Sequence, residues 1–535
     1  MIDDVIVVGS GASAVHAVYS LVEAGLKVRM LDFGNEEQVY SRIIPQESFL
    51  EIRRKDPHQY RYFLGERFEG VPIGELQKSL PLTPPRQYII KDTQSLTPID
   101  SRTPFFITSL ALGGMASGWG AGAMSYNDEE LKDFPITYED LRPHYEKVAE
   151  RIGVSGEKDD LFAYDGELKA MLPPLQIDPG AQAILGRYSR HREKFNKAGF
   201  YMGKPRLAAL SRPYRGRGPD RYLDMSFWSD ADQSVWRPRY TLTELRSFPN
   251  FIYHRCLVQT FGESRDGSVE VTSKNAAGQV ESHRARKLIL AAGVFGTARI
   301  VLRSLNKYGM KVPFVCGSYT YYPMLNINRL GQTQSEKSHS LAQLCVVYDT
   351  PSPEQTLIHG RVHSYRSLLN FKIIQRIPLP YREGIRAVKM LLPCLVILAL
   401  DHEDRPGPDK YCVLHPSHTD APDHLEVTYS LSDEVKKQQR WREKVVLRHF
   451  RRLGCFALKR VWPGDGASLR YGGTFPMSRE EREFTVDPQG RLRGTRSVYI
   501  TDCSVFPYIP AKGLTFTMMA NANRIGESVR QEFKQ

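Results

Sequence analysis

The sequence has 535 residues, of which 41% are hydrophobic and 25% are charged. This composition is globular and excludes a disordered, collagen-like or coiled-coil chain, and the length predicts more than one domain. The 73 Lys and Arg residues outnumber the 60 Asp and Glu residues, which gives a formal net charge of +13. The seven Cys residues stand singly. Their spacing argues against a disulfide scaffold or a Cys-rich zinc site and favours a reducing compartment.

No segment reads as a signal peptide or a membrane span. The apolar run 5–8 follows two aspartates and is too short for a signal peptide. The longest apolar run, 390–400, is interrupted by Pro393 and is shorter than the roughly 20 residues that a spanning helix needs. We predict a buried strand there, and a soluble, cytoplasmic protein for which peripheral contact with a membrane stays open.

Residues 4–34 predict a strand, a glycine turn, a helix and a second strand. In the GxGxxA turn, Gly9 permits the tight bend, Gly11 lets the backbone approach a pyrophosphate, and Ala14 keeps the helix close to the strand. Asp32 ends the second strand, where it can accept hydrogen bonds from a ribose. The pattern predicts a dinucleotide site, and the alternative is a tight turn without a ligand.

A second cluster of glycines and alanines lies at 110–124 around Trp119. Small residues around one large ring predict a backbone that passes flat against a planar ligand, whereas the alternative is a flexible loop.

Two later segments read as further parts of the same site. We predict strands at 252–261, 268–273, 279–283, 287–292 and 498–501. Helices are expected to begin near Phe295 and at Thr515, and Asp502 follows the last strand.

Together these pieces resemble the glucose-methanol-choline (GMC) family of FAD-dependent oxidoreductases over nearly the whole chain. The resemblance is carried by Val7-Val8-Gly9-Ser10-Gly11, Gly113-Gly114 with Trp119-Gly120, Pro135-Ile136-Thr137-Tyr138-Glu139-Asp140-Leu141, Leu290-Ala291-Ala292-Gly293 with Gly296-Thr297-Ala298-Arg299, and Asp502-Cys503-Ser504-Val505-Phe506-Pro507.

The resemblance implies an α/β FAD-binding Rossmann-like domain combined with an α+β substrate domain built on an antiparallel sheet. The expected FAD-binding domain is discontinuous and comprises 1–35, 105–158, 250–303 and 490–535. The substrate-binding domain would comprise 159–249 and 304–489, and 36–104 would form a lid-like insertion.

One FAD is expected, held by both ends of the chain. Gly9, Gly11 and Asp32 would hold its ADP half, Val258 would reach the adenine, and the loop from Gly113 to Trp119 would cover the isoalloxazine. A helix N-terminus at Thr515 would stabilise negative charge on the reduced flavin. The full set of expected contacts is Gly9, Gly11, Ser13, Ala14, Asp32, Gly113, Gly114, Ser117, Trp119, Val258, Ala292, Gly293, Asp502, Thr515 and Phe516.

The catalytic part of the family pattern is missing. Where the family carries a His before Gly-Thr, this sequence has Arg470 followed by Tyr471, and where it carries a His or Asn before the last helix, it has Gly513 preceded by Lys512. Three explanations stay open. Tyr471, Lys512 or a His of the substrate domain could be the base, the substrate could need no strong base, or the protein could only bind. A Lys or Tyr base needs a lowered pKa, whereas Arg470 could bind a carboxylate or phosphate or stabilise an oxyanion.

Among the histidines, His363 is the first candidate for a base. The alternation in 359–363 predicts a strand with His359 and His363 on one face. His415, His418 and His424 lie in a turn-rich stretch with no helix to fix their spacing, and we predict no metal site.

The charge excess lies in two stretches of the expected substrate domain. Residues 201–221 carry a net charge of +5 and 436–460 a net charge of +9. A solvated helix face explains the second stretch equally well. The alternative is an anionic partner, namely a sugar nucleotide, a phosphorylated or lipid-linked sugar, or an acidic membrane. Nucleic acid is not expected, because no recognition motif is present.

The sequence thus predicts an FAD-dependent oxidoreductase that oxidises a CH–OH group of a small sugar-like or polyol-like substrate by hydride transfer to flavin N5, with an atypical base. The alternatives are a GMC-fold flavoprotein with a different or non-net-redox reaction and a non-catalytic flavin-binding protein. The electron acceptor and the oligomeric state stay open.

Overall fold

The computed structural model describes residues 2–68, 70, 82–103, 106–333, 337–349, 357–365, 378–417 and 421–534. The strands in this part of the chain are β1 (Asp3–Val8), β2 (Val28–Asp32), β3 (Ile99–Ser101), β4 (Val154–Ser155), β5 (Met171–Leu172), β6 (Phe200–Gly203), β7 (Phe251–Arg255), β8 (Leu257–Glu263), β9 (Val269–Lys274), β10 (Val280–Leu290), β11 (Lys311–Pro313), β12 (Val315–Cys316), β13 (Ser318–Asn326), β14 (Leu344–Tyr348), β15 (Ile358–Ser364), β16 (Leu395–His402), β17 (Lys410–His415), β18 (His424–Tyr429), β19 (Cys455–Ala457), β20 (Tyr471–Gly472) and β21 (Val498–Ile500).

The α-helices are α1 (Ala12–Glu23), α2 (Tyr40–Ile43), α3 (Phe49–Lys55), α4 (Tyr60–Phe63), α5 (Thr93–Leu96), α6 (Asp128–Leu131), α7 (Tyr138–Ile152), α8 (Phe162–Asp165), α9 (Pro179–Arg190), α10 (Arg192–Asn196), α11 (Pro238–Leu245), α12 (Val294–Ser304), α13 (Tyr381–Leu391), α14 (Asp433–Arg452) and α15 (Thr515–Glu532). Short 3₁₀ turns lie at Pro84–Ile90, Gly114–Gly118, Ile327–Arg329, Leu392–Cys394 and Cys503–Val505. None of the described helices is long and apolar enough to cross a bilayer.

A seven-stranded sheet forms the first half of the molecule, in the order β7-β2-β1-β10-β9-β8 with β21 beside β10. Its core is parallel, because β1 pairs in parallel with both β2 and β10, β2 with β7, and β10 with β21. A central parallel strand is covered on both faces, which explains why Val5, Ile6 and Val7 are fully buried.

A six-stranded antiparallel sheet forms the second half, in the order β19-β13-β16-β15-β14-β6. Residues along β13 alternate between buried and half-buried. One face is apolar and packs its Tyr322 and Met324 into a core with residues of α9 and α14. The opposite face is the polar face of this sheet, and it carries Tyr319 and Tyr321. The fold class expected from the resemblance, a Rossmann-like half and an antiparallel-sheet half, is confirmed.

Smaller units join the two halves. A four-stranded sheet runs in the order β11-β17-β18-β3, and β12 pairs with β20. Four residues of the predicted insertion 36–104, Ile44, Phe49, Ile52 and Phe63, form a small separate core together with Met225 from outside it.

Three predictions of local structure are wrong. The predicted strand 252–261 is two strands, β7 and β8, which are separated at Cys256 and pair with β2 and β9, respectively. Residues 390–400 are not one strand, since Met390 and Leu391 end α13, a 3₁₀ turn contains Pro393, and β16 begins only at Leu395. Proline cannot donate to a sheet ladder, so the strand starts after it. The predicted strands 279–283 and 287–292 are one continuous strand, β10, because its first part pairs with β9 and its last part with β1 and β21.

Candidate functional site

The first glycine turn presents backbone atoms, and not side chains, to an open cavity. Gly9 has φ +100°, and a Cβ atom there would lie 2.5 Å from the Ala291 carbonyl oxygen, so only glycine fits. Gly11 precedes α1, and the atom nearest to a Cβ built on it would be 3.9 Å away. The backbone at the start of α1 therefore stands open to a ligand, as a pyrophosphate site requires.

Asp32 lies at the end of β2 and accepts two side-chain hydrogen bonds. Ser10 Oγ donates to Asp32 Oδ2 at 2.6 Å, and Tyr253 OH donates to the same oxygen at 3.0 Å. Burial raises the pKa of Asp32 to about 6, although both hydrogen bonds act in the opposite direction. The carboxylate is thus fixed in place and poorly solvated, which favours acceptance of ribose hydroxyl hydrogen bonds.

The glycine loop at 113–114 packs directly on the first turn. Gly113 N donates to Ser10 Oγ at 2.9 Å, and a Cβ on Gly114 would lie 3.6 Å from Gly11 Cα. Both glycines have positive φ, +84° and +57°. The two loops therefore form one continuous backbone wall.

Trp119 does not lie flat against this cavity. Its Nε1 donates to the Trp236 carbonyl oxygen at 2.8 Å, and its ring meets Trp236 edge to face. Met115 and Ala116 line the cavity from this loop instead. Trp119, one of the expected cofactor contacts, is therefore not part of the cavity lining, and its indole N–H has its partner in the neighbouring loop.

The third wall comes from the end of β10 and from Asp502. Thr297 Oγ1 donates to Asp502 Oδ2 at 2.6 Å, and Ser504 N donates to Asp502 Oδ1 at 2.9 Å. Burial raises the pKa of Asp502 despite these bonds. Gly293 has φ +76°, and a Cβ placed on it would meet no atom within 4 Å, so this wall too is bare backbone.

These walls enclose an empty volume of about 1140 Å³, part of which is open to solvent. The lining includes ten of the expected FAD contacts, namely Gly9, Gly11, Ser13, Asp32, Gly113, Gly114, Val258, Ala292, Gly293 and Asp502. It also includes residues that sequence reasoning missed, among them Ser10, Thr108, Ser109, Leu257, Arg299 and Met518. Bare glycine backbone, a helix N-terminus and a buried acid at the end of β2 are the features that a dinucleotide requires, so the cavity fits FAD.

The other five expected contacts lie outside the lining. Ala14 is a fully buried residue of α1, and Ser117 Oγ donates to the Leu112 carbonyl oxygen at 2.8 Å. Phe516 stacks on Tyr145, and Thr515 lies at the start of α15, whose Met518 reaches the cavity instead. The predicted helix start is correct, but the side chain that reaches the cavity follows almost one turn later. Trp119, described above, is the fifth expected contact that does not line the cavity.

Tyr471 lines the cavity within an aromatic cluster with Phe106, Phe295 and Phe314. Burial raises the pKa of its phenol well above the ordinary value. A base near neutral pH would need a lowered pKa, so these surroundings argue against that role.

Lys512 forms a buried ion pair and does not line the cavity. Its Nζ is 2.6 Å from Glu130 Oε2 and donates to the carbonyl oxygens of Ser125 and Tyr164 at 2.7 and 2.5 Å. The side chain is fully buried. Its three donors are occupied and point away from a substrate, which indicates a structural role.

Arg470 belongs to a cluster on the polar face of the six-stranded sheet. Its Nη2 is 2.8 Å from Asp401 Oδ1, and Nη1 donates to the Ala511 carbonyl oxygen at 2.9 Å. Arg361 contacts the other carboxylate oxygen of Asp401 at 2.9 Å. Burial alone would raise the pKa of Asp401, but the two guanidinium groups hold it well below its usual range. Two cations share one anion, so the cluster keeps a net positive charge.

This cluster is open on one side. Asp401 is 2% exposed, whereas 35% of the Arg361 side chain is exposed. Arg470 connects the cluster to the cavity, since the next residue, Tyr471, lines it. The exposed part of Arg361 can therefore bind an anionic group.

His359 and His363 lie on β15, on the same face as Arg361. Burial lowers the pKa of His359, whose Nδ1 is 3.8 Å from Asp401 Oδ2. Burial and then the Arg361 charge lower the pKa of His363 to about 3. Both imidazoles are neutral at neutral pH, and His363 is the more accessible of the two.

Two other groups of histidines lie away from this face. His415 and His424 stack on each other, and His415 Nε2 is hydrogen-bonded to Glu426 at 2.9 Å, while His418 lies outside the described residues. His254, Cys256 and His283 place one potential ligand atom each within 4.8 Å. Both imidazoles of this trio are already hydrogen-bonded, His254 to Glu281 at 2.6 Å and His283 to Ser273 at 3.1 Å.

Five of the six cations in the first basic stretch, 201–221, are paired or buried, and the sixth, Arg212, is exposed. Lys204, Arg215 and Arg221 pair with Glu157, Glu244 and Asp232. Arg206 and Arg217 are buried and donate to backbone carbonyl oxygens. In 436–460, by contrast, most of the cations lie on the exposed side of α14.

A segment of the sequence and the fold as a whole are similar to known proteins. A GMC oxidoreductase profile, that of the C-terminal region, matches residues 465–522, while no curated protein matches the sequence. The structure is similar to pyridoxine 4-oxidase from Mesorbium loti, with a TM-score of 0.59 and 12% identity over 98% of this chain and 99% of that one. It is also similar to a formate oxidase variant of Aspergillus oryzae RIB40 studied for FAD modification, with a TM-score of 0.57 and 12% identity over 99% and 98% of the two chains. The GMC oxidoreductase profile is thus matched by the C-terminal segment, the two known structures share the fold of nearly the whole chain, and FAD is the cofactor that the cavity fits.

Proposed function

We propose that this protein is an FAD-dependent oxidoreductase of the GMC type that oxidises a CH–OH group of a sugar-like or polyol-like substrate carrying an anionic group. The observation that carries this proposal is the Arg470–Asp401–Arg361 cluster, which lies beside the cavity wall, keeps a net positive charge and is open at Arg361. A neutral alcohol would leave that charge without a partner, whereas a carboxylate or phosphate could take a bidentate position on the guanidinium.

Each part of the site has a separate task in this proposal. Bound FAD supplies the hydride acceptor. The backbone at Gly9 and Gly11 and the Asp32 carboxylate hold its ADP half. Arg361 binds the anionic group of the substrate, and Arg470 holds Asp401 so that the cluster keeps its shape.

His363 is the proposed acceptor of the substrate hydroxyl proton. Its imidazole is neutral at neutral pH and lies on the same face as Arg361. The Arg361 charge is one of the two main causes of its low pKa. An anion bound to Arg361 offsets that charge, so the pKa of His363 rises when substrate binds, toward the value that suits a base.

The oxidation itself is tested by anaerobic reduction of the bound flavin. The holoenzyme is mixed with sugar acids, sugar phosphates and nucleotide sugars, and separately with neutral polyols, while the visible flavin absorbance is followed. We expect bleaching by at least one anionic alcohol and much slower bleaching by its neutral analogue. If no alcohol of either class reduces the flavin while dithionite does, the oxidation proposal is wrong and a non-net-redox or binding role takes its place.

The proton acceptor is tested by His363→Gln and His359→Gln. Loss of a general base lowers the rate of flavin reduction by about 100-fold or more. His415→Gln is the control, since His415 belongs to the distant four-stranded sheet and pairs with Glu426. We expect the large loss for His363→Gln alone, and equal rates in all three variants would exclude a histidine base on this strand.

The anion site is tested by Arg361→Gln. We expect KM for the anionic substrate to rise by about 10-fold to 100-fold, the size of a lost charge-assisted hydrogen bond. Arg284→Gln is the control, because Arg284 is half-exposed on β10 and pairs with Asp266 far from the cluster. An unchanged KM in Arg361→Gln would exclude the proposal that an anionic group of the substrate binds to Arg361.

A further inference from the structure

One end of the six-stranded sheet carries an unusual concentration of exposed apolar side chains. Of the sixteen large hydrophobic residues that are exposed in the described part of the chain, eight lie in three segments, 327–333, 378–394 and 455–461. They are Ile327, Leu330, Leu379, Tyr381, Met390, Leu391, Phe456 and Leu458. Together we call them the apolar end.

The three segments are neighbours in space. Leu325 of β13 pairs with Phe456 of β19, and Ile327 N donates to the Gly454 carbonyl oxygen at 3.0 Å. The 3₁₀ turn that begins at Ile327 packs on the 3₁₀ turn that ends α13. The three segments therefore meet at one end of the sheet, and exposed apolar side chains gathered in one region of a globular protein indicate a contact site.

Helix α13 is attached to the body by one narrow face. Only Gly384 and Val388 of this helix are buried, whereas Tyr381 and Met390 are each 70% exposed. At 100° per residue, Arg382, Arg386 and Lys389 fall on one exposed stripe of the helix. Among the described residues none of these three cations has an ion-pair partner.

The charge of the apolar end is strongly positive. The three segments contain Arg329, Arg382, Arg386, Lys389, Lys459 and Arg460, against the single acid Glu383. Only Arg460 pairs with a carboxylate, that of Glu443, within the described chain. Apolar side chains flanked by free cations are the chemistry of a surface that binds at the interface of an anionic lipid bilayer.

We propose that the apolar end docks the protein on the surface of an anionic membrane, with Tyr381, Met390 and Phe456 at the level of the headgroups and the α13 cations on the lipid phosphates. A protein partner would need a matching acidic and apolar patch, whereas a bilayer supplies both over any area. Phe456 and Leu325 lie on the polar face of the sheet that also carries Tyr319 and Tyr321. Docking by this end would hold that face near the membrane, although the docking itself does not rest on the proposed reaction.

The test is cosedimentation of the FAD-loaded full chain with vesicles of phosphatidylcholine alone and with vesicles of equal parts phosphatidylcholine and phosphatidylglycerol. We expect binding to the anionic vesicles only, with a steep decrease at high salt. Absence of binding to anionic vesicles at low salt would overturn the proposal, and concentration-dependent self-association without vesicle binding would assign the surface to a second copy of the chain.

The variant R382Q/R386Q/K389Q locates the contact. Each cation near an anionic bilayer contributes a factor of about five to binding, so the triple variant should bind on the order of 100-fold more weakly. The matched control is K437Q/R440Q/K444Q, which removes the same charge from the exposed side of α14. We expect the control to bind within about twofold of wild type, whereas equal losses in both variants would show that only net charge matters and would overturn the assignment to α13.

A second variant, Tyr381→Ser with Met390→Ser, tests insertion of the apolar side chains. Both side chains are largely exposed, so the fold should be unaffected, and the thermal midpoint of the holoenzyme checks this. We expect about 10-fold weaker binding with an unchanged salt dependence. An unchanged affinity for the anionic vesicles would mean that binding is purely electrostatic, and it would contradict docking through the apolar end.

Discussion

The FAD cavity and the Arg470–Asp401–Arg361 cluster are neighbours, yet they are built in different ways. The cavity is formed by backbone at three glycine-containing turns, where Gly9, Gly113 and Gly293 all have positive φ. The cluster is formed by side chains from β15, β16 and the loop before β20. The comparison shows that the cofactor site can be recognised from short sequence motifs. The residues of the substrate site, in contrast, are brought together only by the tertiary fold.

The largest effect is expected where the backbone wall is tightest. In Gly9→Ala the new Cβ would clash with the Ala291 carbonyl oxygen in a strained conformation, so FAD affinity should fall on the order of 100-fold or more. Fluorescence titration of the apoprotein with FAD measures this. Gly25→Ala is the control, because Gly25 has a similar φ of +82° with no atom within 4 Å. Equal losses of affinity in the two variants would mean that backbone strain alone, and not the cavity wall, is responsible.

The next effect concerns Lys512, which is a candidate base by its sequence position but lies in an ion pair with Glu130 in the structure. Lys512→Met leaves a buried carboxylate without its cation, which should lower the free energy of unfolding by about 3 to 5 kcal/mol. The double variant Lys512→Met with Glu130→Gln should recover much of this loss in urea unfolding. If the double variant is stable but its flavin is no longer reduced, Lys512 takes part in the chemistry after all.

Asp32 should show opposite effects on stability and on cofactor affinity. Its pKa in the folded apoprotein is about 6, above the value of 3.8 for an unperturbed Asp, so the ionised carboxylate destabilises the folded state. This group stabilises the fold most below its unfolded pKa, and that contribution is lost as the pH rises through about 6. Asp32→Asn apoprotein should therefore be about 2 to 3 kcal/mol more stable than wild type at neutral pH, with no difference in acid.

The same substitution should weaken FAD binding by about 10-fold, because a ribose hydroxyl loses a charged acceptor. Thermal unfolding measured over a range of pH checks the expected gain in stability, and titration with FAD checks the expected loss of affinity. A variant that is less stable than wild type at neutral pH would show that the hydrogen bonds from Ser10 and Tyr253 outweigh the cost of burial.

The smallest effect is expected for Tyr471→Phe. With the pKa of the phenol well above its ordinary value, loss of the hydroxyl should change the rate of flavin reduction by less than about 10-fold. Tyr429→Phe controls for packing, since Tyr429 also contacts Phe106 and Phe314. If the rate of flavin reduction falls about 100-fold in Tyr471→Phe but not in Tyr429→Phe, Tyr471 acts as the base after all. The Arg470–Asp401–Arg361 cluster would then serve only to bind the substrate.

The parts of the site that can be predicted are those with local causes. Gly9, Gly11 and Asp32 lie within one βαβ unit, whose spacing alone indicates a nucleotide site. The position of β21 and the start of α15 follow from the resemblance. The orientation of the Trp119 ring could not be predicted, because its partner is the Trp236 carbonyl oxygen, more than one hundred residues away, and no local pattern shows that contact.

The catalytic region cannot be predicted for the same reason. Arg470 stands out in the sequence, but its partner Asp401 lies 69 residues earlier and reads as an ordinary strand-end acid. The role of Lys512 depends on Glu130, 382 positions away, since only the folded chain shows that its charge is already neutralised. His363 is visible in the sequence because strand alternation is a local signal, whereas its low pKa comes from burial and from Arg361.

The last strand of the chain bears on how the protein is made. β21 completes the parallel sheet beside β10, and α15 packs on α1 so closely that Gly526 leaves no room for a side chain against Ala17. At about 5 to 20 residues per second, a ribosome needs roughly 30 to 100 s for a chain of this length. During that time the apolar strands β1 and β2 have no complete sheet to join. The parallel sheet is therefore completed only after β21 has been synthesised, and deletion of α15 would leave the face of α1 that carries Ala17 without its cover.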